Sequence, residues 1–105
     1  MEKMRLIVLL DMPASTRHER KVKREFLEWL FAAGFATLQD GVFTRVCRGR
    51  ANAKIHESNL RSHRPESGMV RFFTLTEEQF ENGELLVGHE LPQEDEIGSQ
   101  LDIFL

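Results

Sequence analysis

The residue of this chain whose setting points most directly to chemistry is Asp11. It closes the apolar run Leu6-Ile7-Val8-Leu9-Leu10 and is followed at once by Met12-Pro13, so a buried strand delivers one carboxylate to the edge of a sheet. An ionised carboxylate in apolar surroundings is costly unless a cation or hydrogen-bond donors meet it. Two readings follow. Asp11 is a working acid, or it caps the next turn by accepting from backbone N–H groups near Ala14 and Ser15.

A second group lies just downstream. Arg17, Arg20, Lys21 and Arg24 fall at i, i+3, i+4 and i+7, one face of a helix. Cations in a first helical turn oppose the helix dipole by about 0.3–1 kcal/mol each, so stability alone would favour acids there. Basic side chains beside a strand-end carboxylate suit a phosphate backbone approaching a metal; the plainer alternative is a solvated face. Arg45, Arg48, Arg50 and Lys54 form a second basic group.

Soft-metal ligation finds no support. The histidines at 18, 56, 63 and 89 lack paired spacing, and His56 and His63 stand two turns apart on one helix, too far to share an ion. An oxygen-ligand ion fits better, because Mg²⁺, or Mn²⁺ in its place, keeps several waters and needs one or two carboxylates plus substrate phosphates. One Asp11 per subunit, doubled across a two-fold axis, would suffice. The lone Cys47 has no internal disulfide partner and reads as a small buried thiol. No phosphate-cradling P-loop, nucleophile elbow or dinucleotide fingerprint occurs, which excludes the enzyme classes that carry them.

The chain is long enough for one modest core and too short for two. It has no apolar run of the roughly 20 residues a membrane span requires and no signal-peptide pattern, so no membrane association and a cytoplasmic location are expected. Charge is sorted along it. All fourteen Lys and Arg lie at or before Arg71 among eight acids, and the residues after it hold nine acids and no base. This suggests a face for a polyanion and an acidic tail held elsewhere.

The elements that must position these residues can be read in order. A strand covers Met4 to Leu10. A helix opens at the capping box Thr16-Arg17-His18-Glu19, buries Val22, Phe26, Trp29, Leu30 and Ala33, and stops at Gly34. Strands follow over Phe35 to Gln39 and Val42 to Cys47, joined by Asp40-Gly41. A second helix runs from Ala51 to about His63, with Ala53, Ile55 and Leu60 as a thin apolar stripe. Met69 to Leu75, apolar apart from Arg71, reads as a central strand. Thr76-Glu77-Glu78-Gln79 is a capping box for a short helix through Phe80 that Gly83 ends. Two apolar pieces remain, Leu85-Leu86-Val87 and Leu101 to Leu105, separated by the acidic loop Glu90 to Glu96.

Strand, helix, strand, strand, helix, strand is the split-βαβ, ferredoxin-like arrangement of an α+β domain. It occupies residues 1–83, and residues 84–105 form a C-terminal segment for dimerisation or partner docking. A strand as apolar as Leu101 to Leu105 would be an exposed edge in a monomer, so pairing with a second subunit in a homodimer is expected.

The assembled pattern resembles the small universal CRISPR-associated endonuclease family that partners the CRISPR integrase in spacer acquisition. The matching residues are Leu6 to Leu10 with Asp11-Met12-Pro13, Arg20-Lys21 with Arg24 and Phe26, Gly34-Phe35 leading to Leu38-Gln39 and Val42-Phe43, Gly68-Met69-Val70-Arg71, Thr74 through Phe80, and Leu85-Leu86-Val87-Gly88. Two positions depart from the family: Leu10, where an aromatic residue often precedes the acid, and Gly41, often serine. They bear on substrate stacking and on any hydroxyl role there. The resemblance implies a ferredoxin-like homodimer with exchanged C-terminal strands and a metal-dependent phosphodiesterase acting on RNA or double-stranded DNA, with Asp11 as metal ligand. It also implies an architectural role, bridging integrase dimers along double-stranded spacer-precursor DNA, that can operate without cleavage. Three functions remain in competition: the nuclease, a non-catalytic DNA-binding adaptor, and a toxin-like ribonuclease on the same fold.

Overall fold

The computed structural model describes residues 2–89. Its elements are β1 (Met4–Asp11), α1 (Arg17–Ala32), β2 (Ala36–Gln39), β3 (Val42–Cys47), α2 (Arg50–Ser62), β4 (Met69–Thr76) and α3 (Glu77–Glu81). The four strands form one antiparallel sheet in the order β2-β3-β1-β4, the ferredoxin-like arrangement expected from the element order.

Alternation along β1 divides the sheet into two faces. Met4, Leu6 and Val8 are buried beneath the helices with Phe26, Leu30, Phe35, Phe43, Cys47, Ala53 and Leu60. Arg5, Ile7, Leu9 and Asp11 project from the opposite face. Cross-strand partners share a face, so Arg71 and Phe73 of β4, opposite Leu9 and Ile7, stand there too. No long helix covers this second face among the described residues. Leu9, Phe73 and Met69 are exposed to 36%, 52% and 61%. Among the described helices only α3 reaches it, at the Met4 end, where Arg5 lies 4.2 Å from the centre of the Phe80 ring.

Local signals set the boundaries. Thr16 and Glu19 complete a capping box on α1, and Thr76 and Gln79 repeat it on α3. Gly34, at φ +90°, ends α1 in a conformation that side-chain-bearing residues avoid, and Gly41, at φ +75°, makes the turn between β2 and β3.

Several expectations are corrected. β1 extends one residue further and includes Asp11. β4 is an edge of the sheet and not central; its apolar residues on the uncovered face are exposed instead of sandwiched. Ile55 is 57% exposed, because two residues beyond Ala53 is about 200° around a helix and therefore away from the core that Ala53 and Leu60 face. Leu85, Leu86 and Val87 form no strand within the described chain. The acidic loop at 90–96 and the strand expected at 101–105 lie outside the described residues. No described helix is long and apolar enough to cross a membrane.

Candidate functional site

Asp11 ends β1 on the uncovered face, opposite Met69. It is exposed, and its carboxylate has no hydrogen bond or ion pair among the described residues. The turn-capping reading fails: the Ser15 and Thr16 N–H groups donate to Glu19 Oε1, at 3.0 and 2.9 Å. Glu19 thus does the local work, and acceptance from Thr16 holds its carboxyl below the ordinary range. Asp11 is left free. The strand end beneath it is fixed by the hairpin, since Leu10 N–H donates to Gly41 O at 2.7 Å.

No cluster of three His, Cys, Asp or Glu side chains with metal-holding geometry occurs among the described residues. Among the described residues, one chain therefore offers a hard ion no set of three such side-chain ligands at this position. The Asp11 carboxylate fits a cation that retains water and accepts phosphate oxygens, and does not fit one that needs thiolates or imidazoles.

The first basic group lies at the same end of the sheet. Arg17 is exposed and has no carboxylate partner among the described residues. Arg20 Nη1 donates to Ser15 O at 2.9 Å, bracing the loop that follows Asp11. Lys21 and Arg24 face Glu25 and Glu28 at 4.0 and 3.7 Å. Such exposed i,i+4 pairs are worth a few tenths of a kcal/mol, so a phosphate can displace them. Lys23 is half-buried and lines a shallow groove with Arg20, Arg24, Leu27 and Phe31. Its i+3 spacing from Arg20 was the signal in the sequence.

The second basic group is separate. β1 places Met4 opposite Cys47, so Arg48 and Arg50 lie past the far end of a strand that runs about 24 Å from Met4 to Asp11. Arg48 is exposed, and Arg50 pairs with Glu2 at 3.1 Å. Arg45 does not belong with them. Opposite Leu6 on the helix-covered face, it donates through Nη1 to the Ala33 carbonyl and serves the end of α1.

The remaining reactive side chains have structural settings. Cys47 is fully buried, and burial pushes its thiol up, away from the nucleophilic thiolate. Burial, with help from Arg45, depresses His56. His18 lies 3.2 Å from Glu66, and His63 stacks on Trp29 with ring centroids 4.3 Å apart.

Residues 4–82 match the family model "CRISPR associated protein Cas2". Three curated relatives carry the name CRISPR-associated endoribonuclease Cas2. The protein of Flavobacterium psychrophilum is 34% identical over 99 residues, covering 94% of this chain and 86% of its own. That of Ligilactobacillus salivarius is 34% identical over 90 residues, covering 86% and 89%. That of Acidovorax ebreus is 33% identical over 102 residues, covering 96% and 100%. The match spans every described strand and helix and carries Asp11 within it, so the chain belongs to the CRISPR-associated Cas2 family.

Proposed function

We propose that this chain works in CRISPR adaptation as a homodimer that partners the CRISPR integrase, holds double-stranded spacer-precursor DNA along its basic surfaces, and cleaves phosphodiesters at Asp11 with Mg²⁺ or Mn²⁺. The observation that carries this reading is the free, exposed Asp11 carboxylate at the end of a rigid strand, beside the basic start of α1. Asp11 would hold the ion together with its counterpart from a second subunit. When bound, the ion supplies a water of lowered pKa and offsets charge on the phosphate. Arg17, Arg20, Lys21 and Arg24 position the backbone through contacts that carry no base information. The names of the relatives favour RNA as a substrate for cleavage.

Dimerisation is supported by the apolar uncovered face, with Leu9, Phe73 and Met69 in solvent, and by β4 as an unpaired edge among the described strands. A second reading, an adaptor that holds DNA without cutting it, is favoured by the lack, among the described residues, of any group of three His, Cys, Asp or Glu side chains able to hold a metal. Asp11→Ala decides between them. Loss of metal-dependent cleavage with spacer acquisition retained in cells makes the adaptor role primary, loss of both makes cleavage essential, and cleavage surviving in the variant removes Asp11 from the site.

A further inference from the structure

We propose that Arg71 completes the Asp11 site from across the subunit interface, the Arg71 of each protomer donating to the partner's Asp11 about the two-fold axis. The inference deepens the reading above and rests on its homodimer. Leu9 faces Arg71 and Asp11 faces Met69, so Arg71 and Asp11 share the uncovered face as diagonal neighbours, a relation that separates Cα atoms by roughly 7–8 Å. Arg71 thus stands among Leu9, Met69 and Phe73, the exposed apolar residues that a second copy would cover. A guanidinium enclosed there is costly unless an acid meets it.

Within one chain no acid does. Arg71 and Asp11 form no ion pair among the described residues, and Arg71 Nη2 is turned toward Met69 Sδ at 3.9 Å. Arg5, the other arginine of this face, is taken by Glu77 at 2.7 Å. Asp11 is the one acid in the four described strands. A two-fold interface is self-complementary, so a contact from Arg71 to the partner's Asp11 forms twice. If the two Asp11 carboxylates approach the axis closely enough to share an ion, Arg71, one register step away, comes within side-chain reach of the partner's Asp11. One carboxylate oxygen can then accept from the guanidinium while the other faces the ion. The two arginines also offset the repulsion between the converging acids when no ion is bound.

The test uses Arg71→Asp and Asp11→Arg in the full-length protein, with light scattering and native mass spectrometry in the absence of divalent metal. Each variant alone sets like charges against each other at both contacts and should be monomeric where the wild type is a dimer. An equimolar mixture should form a dimer of one variant with the other, because that combination restores both opposite-charge contacts. A pair closed within one chain cannot produce this result. Arg71→Ala should weaken the dimer about thirtyfold or more, and Arg71→Lys should lose less because it keeps the charge. Single variants that stay dimeric overturn the proposal, as does a mixture that stays monomeric, which would assign Arg71 to a different acid. A monomeric wild type rejects the proposal together with the homodimer. Failure of the metal reading is seen separately: if Asp11→Ala leaves Mn²⁺ binding intact in electron paramagnetic resonance, the ion lies elsewhere, whereas the Arg71 contact stands or falls on the mixing result alone.

Discussion

Glu77 grips Arg5 with both carboxylate oxygens, accepting from Nε at 2.9 Å and from Nη2 at 2.7 Å, and so ties the first residue of α3 to the second residue of β1. Both side chains are less than one-fifth exposed, and Phe80 lies over the guanidinium. Glu77→Ala leaves that guanidinium partly desolvated and unpaired. It should cost about 1–2 kcal/mol in urea unfolding, below the cost for a fully buried pair because some solvent remains. Glu78→Ala, at an exposed neighbour, should stay within about 0.5 kcal/mol.

Glu19 gives a prediction about pH. Its folded carboxyl is held below the unfolded value by the Thr16 backbone N–H, so its contribution to stability is complete above the ordinary glutamate range and fades as pH falls through the folded value. Melting curves taken between about pH 3 and pH 6 should show a shallower acid-side loss for Glu19→Gln than for the wild type. Identical slopes would mean that the box is not formed in solution.

The departure at Gly41 has a structural cause. A Cβ built at this position would lie 2.8 Å from Leu10 O, and φ is +75°. Gly41→Ser, which inserts the residue common in the family, should lower stability by about 1–3 kcal/mol in denaturant unfolding, through strain at the turn that supports the end of β1. An unchanged midpoint would show that the turn rearranges freely.

The apolar uncovered face predicts self-association. Leu9→Glu with Phe73→Glu should convert a dimer to a folded monomer in multi-angle light scattering, with unchanged far-ultraviolet circular dichroism. A wild-type protein that is monomeric across the concentrations tested would reject this face as the interface.

Much of the fold was legible because local signals and the global arrangement agree. The apolar run of β1 and the box at Thr16 marked a strand, a turn and a helix around Asp11, whose carboxylate has no partner among the described residues. What escaped depends on strand order. β4 looks central in sequence because it is apolar, yet edge or centre is decided by which strands flank it, and no local pattern carries that. Arg71 reads as a polar interruption of that strand until register places it beside Asp11. Arg45 reads as one more cation until the fold brings the end of α1 over it. Ile55 was misplaced by helical phase, which the spacing from Ala53 could have corrected.

The meeting of Gly34 and Arg45 has a consequence for how this chain can vary. A Cβ at residue 34 would occupy the space filled by the Arg45 guanidinium, at a backbone angle of φ +90°. The two positions therefore form one evolutionary unit although they stand on different elements. A side chain at 34 must push the arginine off the Ala33 carbonyl, and shortening the arginine first strips the same donor. Either single step passes through a less stable protein. Related sequences that have lost the glycine should be found to have lost the arginine with it, and an alignment that scored each column separately would miss the constraint.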